Sequence, residues 1–362
     1  MIIRQNNFSG GLSDSLNIGV KGSFYEGAGL DIHSEPGVLK VNQALTKESA
    51  TTVVGLVKTV VQGSDGKTYL GDDDGNIYIR TSTGSYSSAY RDASGDATLG
   101  IDEYDGYFYW ATETELHRMA IAGNWTTDVD SGASWPATFT NGDDAYHPML
   151  KIGLFLFIGD GRAIASVDDT GNFTANGTPD VTFGSLPHGY RARCFHQYDI
   201  DLLIGAGVTS TTNKARVFRW DTVSSTYLST DDINEVGVNA FIPIGNSVFA
   251  QCGKFGNFYF YDGKNLVEPP AKKLRGTYSP SKYMEVYPEA VTNLKGLPLF
   301  GVSNGSGNPC LQGVYSLGRY DKNYPLALNL EFPVSTNKLT NIEIGVIHVV
   351  GSDLIVCWRD SN

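Results

Sequence analysis

One stretch limits what this chain can fold into more than any other: Asn239–Val267, NAFIPIGNSVFAQCGKFGNFYFYDGKNLV. Gly-Asn at 245–246, Gly-Lys-Phe-Gly at 253–256 and Asp-Gly at 262–263 separate short runs of Val, Ile, Phe and Tyr. Gly and Asn tolerate the positive φ that tight hairpins require. The runs between them suit a pleated, half-buried surface. The stretch therefore predicts strand, turn, strand, turn, strand, turn. A sheet this small makes a domain only if the unit recurs.

It does recur. The most apolar strand returns at Thr68–Gly71, Tyr107–Ala111, Leu154–Gly159, Asp201–Gly205, Ser247–Gln251, Leu297–Val302 and Asp353–Trp358. Subtracting successive starts gives spacings of 39, 47, 47, 46, 50 and 56 residues. A third strand follows most copies: Asn76–Arg80, Glu115–Ala120, Ala163–Asp168, Ala215–Asp221, Asn257–Asp262 and Gly313–Asp321. Three of these end in RWD, FYD or RYD, with a turn after the Asp. A period of roughly 40 to 50 residues built from short strands marks a β-propeller, one four-stranded blade per period. A β-sandwich array is the other arrangement with so loose a period, but sandwiches rarely supply seven similar units. The expectation is an all-β, seven-bladed β-propeller (residues 36–362) with an extended N-terminal arm (residues 1–35).

At 362 residues the chain has the length of several average domains. The repeat argues instead for one ring, because each blade buries its faces only against its neighbours. Helical periodicity is nearly absent, and 42 Gly with 20 Tyr fit many turns between strands. A formal net charge of −12 argues against nucleic-acid binding as the main function. The four cysteines, at 194, 252, 310 and 357, are far apart and read as small buried apolar residues. They and six scattered His give no metal-ligand spacing, so no metal or cofactor is expected. MIIRQNNFSGG has no apolar core of a secretory signal, and no run approaches a membrane span. A soluble protein made in a reducing cytoplasm is expected.

Residues 1–35 lie outside the repeat: Gly-rich, with isolated aromatics and no core of their own, an arm for another surface or a disordered tail. Blades are expected at about Val53–Arg91, Ala97–Val129, His147–Phe183, Arg191–Leu228 and Asn239–Pro269, with the sixth from Glu289. The sixth carries an insertion between Gly301 and Leu311. In the third blade, LFLFIG is too continuously apolar for an exposed strand and is expected to be buried on both faces. Gly71-Asp-Asp-Asp-Gly-Asn76 opens like a calcium loop, but position 83 is Thr where a Glu is required, so an acidic hairpin turn is expected. The long polar connection Asp130–Pro148, with Trp135-Pro136 at its middle, is either a contact loop or a solvated insertion. Lys272, Lys273 and Arg275 form the only local basic cluster, on a loop. The last blade, Asn341–Val350 and Asp353–Trp358, is two strands short. Val38–Leu45 completing it would remove an exposed sheet edge; a chain continuing further is the alternative.

No catalytic constellation stands out. Gly-x-Ser-x-Gly, HExxH and a phosphate-binding glycine loop are all missing from the sequence. The sialidase-type Ser-x-Asp-x-Gly-x-Thr-Trp turn has no copy, and the docking tryptophans of quinoprotein blades do not recur. Asp168-Asp169 and Asp231-Asp232 are adjacent on strands, so each pair points to opposite faces and cannot flank one bond. An enzyme is not expected.

Asn7–Leu12 (NFSGGL), the extended arm and Gly37-Val38-Leu39-Lys40 together resemble the opening of bacteriophage tail proteins. The similarity is to the β-propeller-containing nozzle or hub type. It covers about 45 residues as motif and the rest only as architecture, and the Arg-Pro-Gly that commonly closes such an arm is missing. The resemblance implies a structural virion component of the tail, assembled in the host cytoplasm as a cyclic homo-oligomer beside neighbouring tail proteins. DNA would only pass by, and an acidic wall would not hold it. Phe8, Leu12, Phe24, Tyr25, Leu30 and Trp135 are the candidate assembly contacts. The other reading is a carbohydrate- or protein-binding propeller with Tyr and Trp of its loops at the site.

Overall fold

In the computed structural model, the described residues run from 53 to 360. They exclude 133, 144, 178–184, 209–213, 246, 254–256, 262–265, 268–285, 304–311, 318–327 and 335–341. Leu45, Glu48 and four two-residue strands before them are also described. Among these residues there is no helix, hence none long and apolar enough to cross a membrane.

Six four-stranded antiparallel sheets follow one another: Val57–Arg91, Gly100–Thr138, Met149–Thr174, Tyr190–Ile233, Val238–Val267 and Val291–Pro333. Each is a meander whose strands pair in chain order. A two-stranded sheet, Ile342–Val350 with Asp353–Asp360, takes the next place. The first strand of every sheet packs beside the first strand of the next, and Ile342–Val350 packs beside Val57–Gln62. The ring thus closes on itself, an all-β β-propeller in which the described residues form six complete blades with the two-stranded sheet at the seam.

Its core lies between the sheets. Val61, Tyr69 and Ile77 of the first blade pack on Ile101, Phe108, Trp110 and Met119 of the second. Tyr109, Leu116 and Phe139 of the second pack on Leu156, Ile158 and Val167 of the third. The same arrangement continues around the ring, and Val346 joins Val57, Val60, Leu70 and Tyr78 at the seam. A second strand packed on both faces must be apolar on both, and Phe155–Asp160, the LFLFIG copy, is buried from Leu156 onward. The Gly closing several copies has a steric reason. A Cβ on Gly71 would lie 2.5 Å from Thr98 Cγ2, just before the next blade's first strand, and one on Gly159 would lie 3.0 Å from Ala192 Cβ on the next blade's first strand. The next blade's first strand comes too close for a side chain.

Hairpin chemistry matches the sequence. Asp72 is fully buried and accepts hydrogen bonds from the Asp74 and Asn76 N–H groups and from Gly55 N–H. The acidic stretch 71–76 is therefore a turn held by its own first carboxylate. Asp221 closes its turn alike, accepting from the Val223 and Ser224 N–H groups. Cys194 and Cys252 are buried free thiols, and Cys357 is partly buried; Cys310 and the Lys272–Arg275 cluster lie outside the described residues.

Three expectations change. In place of seven blades, the described residues form six complete ones, with a two-stranded sheet in the seventh place. The second blade does not end at Val129: its fourth strand is Ala137–Thr138, inside the connection taken for a loop. The fourth blade likewise runs past Leu228 to a fourth strand at Ser229–Ile233. Outermost strands pack on one side only, so a two-residue or polar segment suffices and leaves no apolar run to read. Lys40–Val41, within the segment expected to complete the last blade, pairs antiparallel with Leu30–Asp31.

Candidate functional site

The groove between the second and third blades is built from the strand Glu115–Ala120 outward. Adjacent residues there point to opposite faces. His117 goes inward, buried and stacked on Trp110 with ring centroids 5.4 Å apart. Arg118 goes outward. Asp130 ties the following connection back to this strand: Oδ2 lies 2.7 Å from His117 Nδ1, and Oδ1 accepts the Arg118 backbone N–H at 3.0 Å. Asp130 itself has φ of 54°, a turn conformation that folds the chain back over Arg118.

That return places Trp135 on Arg118. The guanidinium carbon lies 4.4 Å from the Trp135 ring centroid and 4.9 Å from that of Tyr107. Trp135 also meets Tyr109 at 5.6 Å. A cation held between two ring faces gains quadrupole attraction on both sides. The Tyr109 hydroxyl is close by; burial first, opposed by the Arg118 charge, pushes its pKa up to about 12.

The third blade supplies the opposite wall through its turn 168–172. Asp168 Oδ1 accepts from the N–H groups of Thr170 and Asn172 and from the Thr170 hydroxyl, and Oδ2 accepts from Asn172 Nδ2. Burial raises the Asp168 pKa, but these donors outweigh it and hold the carboxyl below the ordinary range. Gly171 has φ of 79°, and a Cβ there would sit 3.0 Å from Arg118 Nη1. Glycine thus serves both the turn and the close approach.

The result is an open groove of about 630 Å³, within the roughly 300–1,000 Å³ of ligand sites. Arg118, Ser134, Trp135, Thr138, Asn172 and Phe173 line it. Ser134, Thr138, Thr170 and Asn172 are exposed. Antiparallel strands bring alternate turns to one end of a sheet, so the exposed hairpin residues Leu154 and Ile200, 64% and 70% accessible, lie on this same face. Among the described residues no group of three or more His, Cys, Asp or Glu could hold a metal.

Of the six sequence candidates, Trp135 falls in this groove. Leu12 and Phe24 are register partners in a parallel pair of two-residue strands, and Leu30 pairs with Val41. Phe8 and Tyr25 lie outside the described residues. Arg118 and Asn172 were not anticipated. The turn signal after Asp168 was legible for Asn172; nothing in the sequence places Arg118 beside Trp135.

No protein-family model and no curated protein matches the chain. Solved structures do. The extracellular domain of the putative hybrid two component system BT4673 from B. thetaiotaomicron has a TM-score of 0.55 at 12% identity. That match covers 87% of this chain, which spans 38% of that one. A catalytically inactive virginiamycin B lyase from Staphylococcus aureus gives 0.54 at 13% identity, covering 88% of this chain and 97% of that one. U3-55K gives 0.55 at 11%, covering 83% and 88%. At such identities the likeness is one of fold, and it makes this chain a β-propeller.

Proposed function

We propose that the chain is a non-catalytic recognition propeller, a carbohydrate- or protein-binding module whose ligand occupies the groove around Trp135. One observation supports this above the rest. Arg118 is held over the rings of both Tyr107 and Trp135 at the wall of an open polar groove, with no carboxylate partner among the described residues. Asp168 nearby is committed to its own turn, so the groove's side chains are suited to hold and orient a ligand. Screening a glycan array and a peptide display library with the wild type and with Trp135→Ala tests this. Ligands kept by the wild type and lost in the variant are expected, with the variant still folded by circular dichroism. Hits indifferent to the substitution would remove the groove from the function.

A second reading places this module in a virion, as a nozzle, hub or tail-tip component of a tailed bacteriophage, assembled in the host cytoplasm as a cyclic homo-oligomer. It is favoured by the Asn7–Leu12 phrase and by strands before residue 42 that pair with one another. Mass spectrometry of purified particles is the test, and a particle lacking the polypeptide ends this reading. The two readings are compatible, since a tail tip is where recognition occurs.

A further inference from the structure

We infer that the groove takes a saccharide bearing a carboxylate, with Trp135 as its stacking platform and Arg118 as its counter-ion. This rests on the recognition reading above. The charge pattern points to an anion. In this chain of net charge −12, Arg80, Arg191, Arg216, Arg219 and Arg359 each lie within salt-bridge distance of a carboxylate. Arg118 does not. Its Nη1 and Nη2 reach the Gly171 and Ser131 carbonyls, at 3.4 and 3.5 Å, the guanidinium also interacts with the neutral Tyr109 hydroxyl, and its Nε is buried without a hydrogen-bond partner. Those long contacts leave a planar, pre-positioned fork whose natural complement is one carboxylate.

The remaining lining favours a sugar. Trp135 and Phe173 present apolar faces for the C–H side of a pyranose ring, while Ser134, Thr138 and Asn172 offer hydroxyl and amide groups for its hydroxyls. Asn172 spends its Nδ2 on Asp168 and Thr170, which leaves its carbonyl oxygen as an acceptor for a ligand hydroxyl. A strand-adding peptide fits poorly, because the outermost strands here, Ala137–Thr138 and Phe173–Thr174, are two residues long. A densely charged phosphate polymer meets one cation and the carboxylates Asp105, Asp168 and Asp169, whose field already raises the nearby Tyr104 pKa after burial. A single carboxylate per sugar matches a single guanidinium.

The test titrates the full chain with oligogalacturonate, hyaluronan oligomers and sialyllactose, each beside its methyl ester, following tryptophan fluorescence and calorimetry. A poly-glutamate peptide is the macromolecular control. At least one free acid is expected to bind. Its affinity should fall at least about tenfold on esterification and on Arg118→Gln, recover in part with Arg118→Lys, and vanish in Trp135→Ala. The ester comparison uses the wild type and does not depend on how the variants fold. Equal binding of acid and ester overturns the carboxylate assignment while leaving the groove as a recognition site. Trp135-dependent binding of poly-glutamate, with no saccharide bound, overturns the saccharide assignment in the same way. No binding by any probe overturns this inference, and only a further failure of the Trp135→Ala screen removes the recognition reading.

Discussion

Replacing Glu48 should loosen the attachment of the N-terminal segment to the ring by a measurable amount. Glu48 lies 32 positions before Arg80 yet receives its side chain in a two-pronged contact, Nη2 to Oε1 at 2.8 Å and Nε to Oε2 at 3.2 Å. The Tyr86 hydroxyl and the Gly84 N–H also donate to Oε2. Arg80 is 5% exposed, so its charge depends on this partner. Chiefly through Arg80, the Glu48 pKa is lowered from 4.5 to about 2. That difference, at 1.36 kcal/mol per pKa unit, sets a ceiling of about 3.4 kcal/mol. The Glu48 side chain is 25% accessible, and solvent screening brings the expected loss for Glu48→Gln to roughly 1–2 kcal/mol. In a chain of 362 residues this corresponds to a Tm decrease of about 1–3 °C. A carboxyl whose folded pKa is depressed stabilises fully above its unfolded pKa of 4.5 and loses that contribution as pH falls through about 2. Denaturant unfolding of wild type and variant at pH 7 and pH 3 should therefore show a gap that shrinks by more than half at the lower pH. A gap that is equal at both pH values, or zero at pH 7, refutes the clamp.

Three further outcomes follow from the same packing. Gly345→Ala would place a Cβ 2.0 Å from the Val57 carbonyl oxygen at the seam of the ring, so a loss of about 2–4 kcal/mol is expected by denaturant titration; a wild-type midpoint would mean the seam is not closed as described. Burial pushes the Cys194 thiol up to about 12 and the Cys252 thiol well above its ordinary value, so neither should react with a thiol reagent at pH 8 until the chain unfolds. Fast native labelling of either residue, located by peptide mapping, contradicts that packing. Deleting residues 1–46 should lower the Tm and increase binding of an apolar dye, because Val38–Leu45 is proposed to cover the open edge of Asp353–Asp360; the Glu48 charge, after burial, already contributes to raising the Cys357 pKa on that strand. An unchanged melting profile excludes the closure.

What the sequence determined by itself was the repeat and its inner strands. Tyr107–Ala111 and Leu297–Val302 are strands with the bounds read from the sequence, because a strand packed on both faces must be an apolar run between turn residues, and Glu115–Ala120 follows the first of them across a tight turn. The Gly that closes the copies at Gly71, Gly159 and Gly205 was visible as a pattern, though its cause, the close approach of the next blade, is a tertiary fact. The outermost strands were not legible. Ala137–Thr138 needs only two residues and one packed face, so its polar surroundings read as a loop. The groove was less legible still. Arg118 and Trp135 are 17 positions apart on different elements, and Gly171 comes from the next blade. Only the fold-back at Asp130 and the packing of one blade on another bring them together, since a side chain's partners across a blade interface depend on how the sheets stack and leave no periodic trace in the chain.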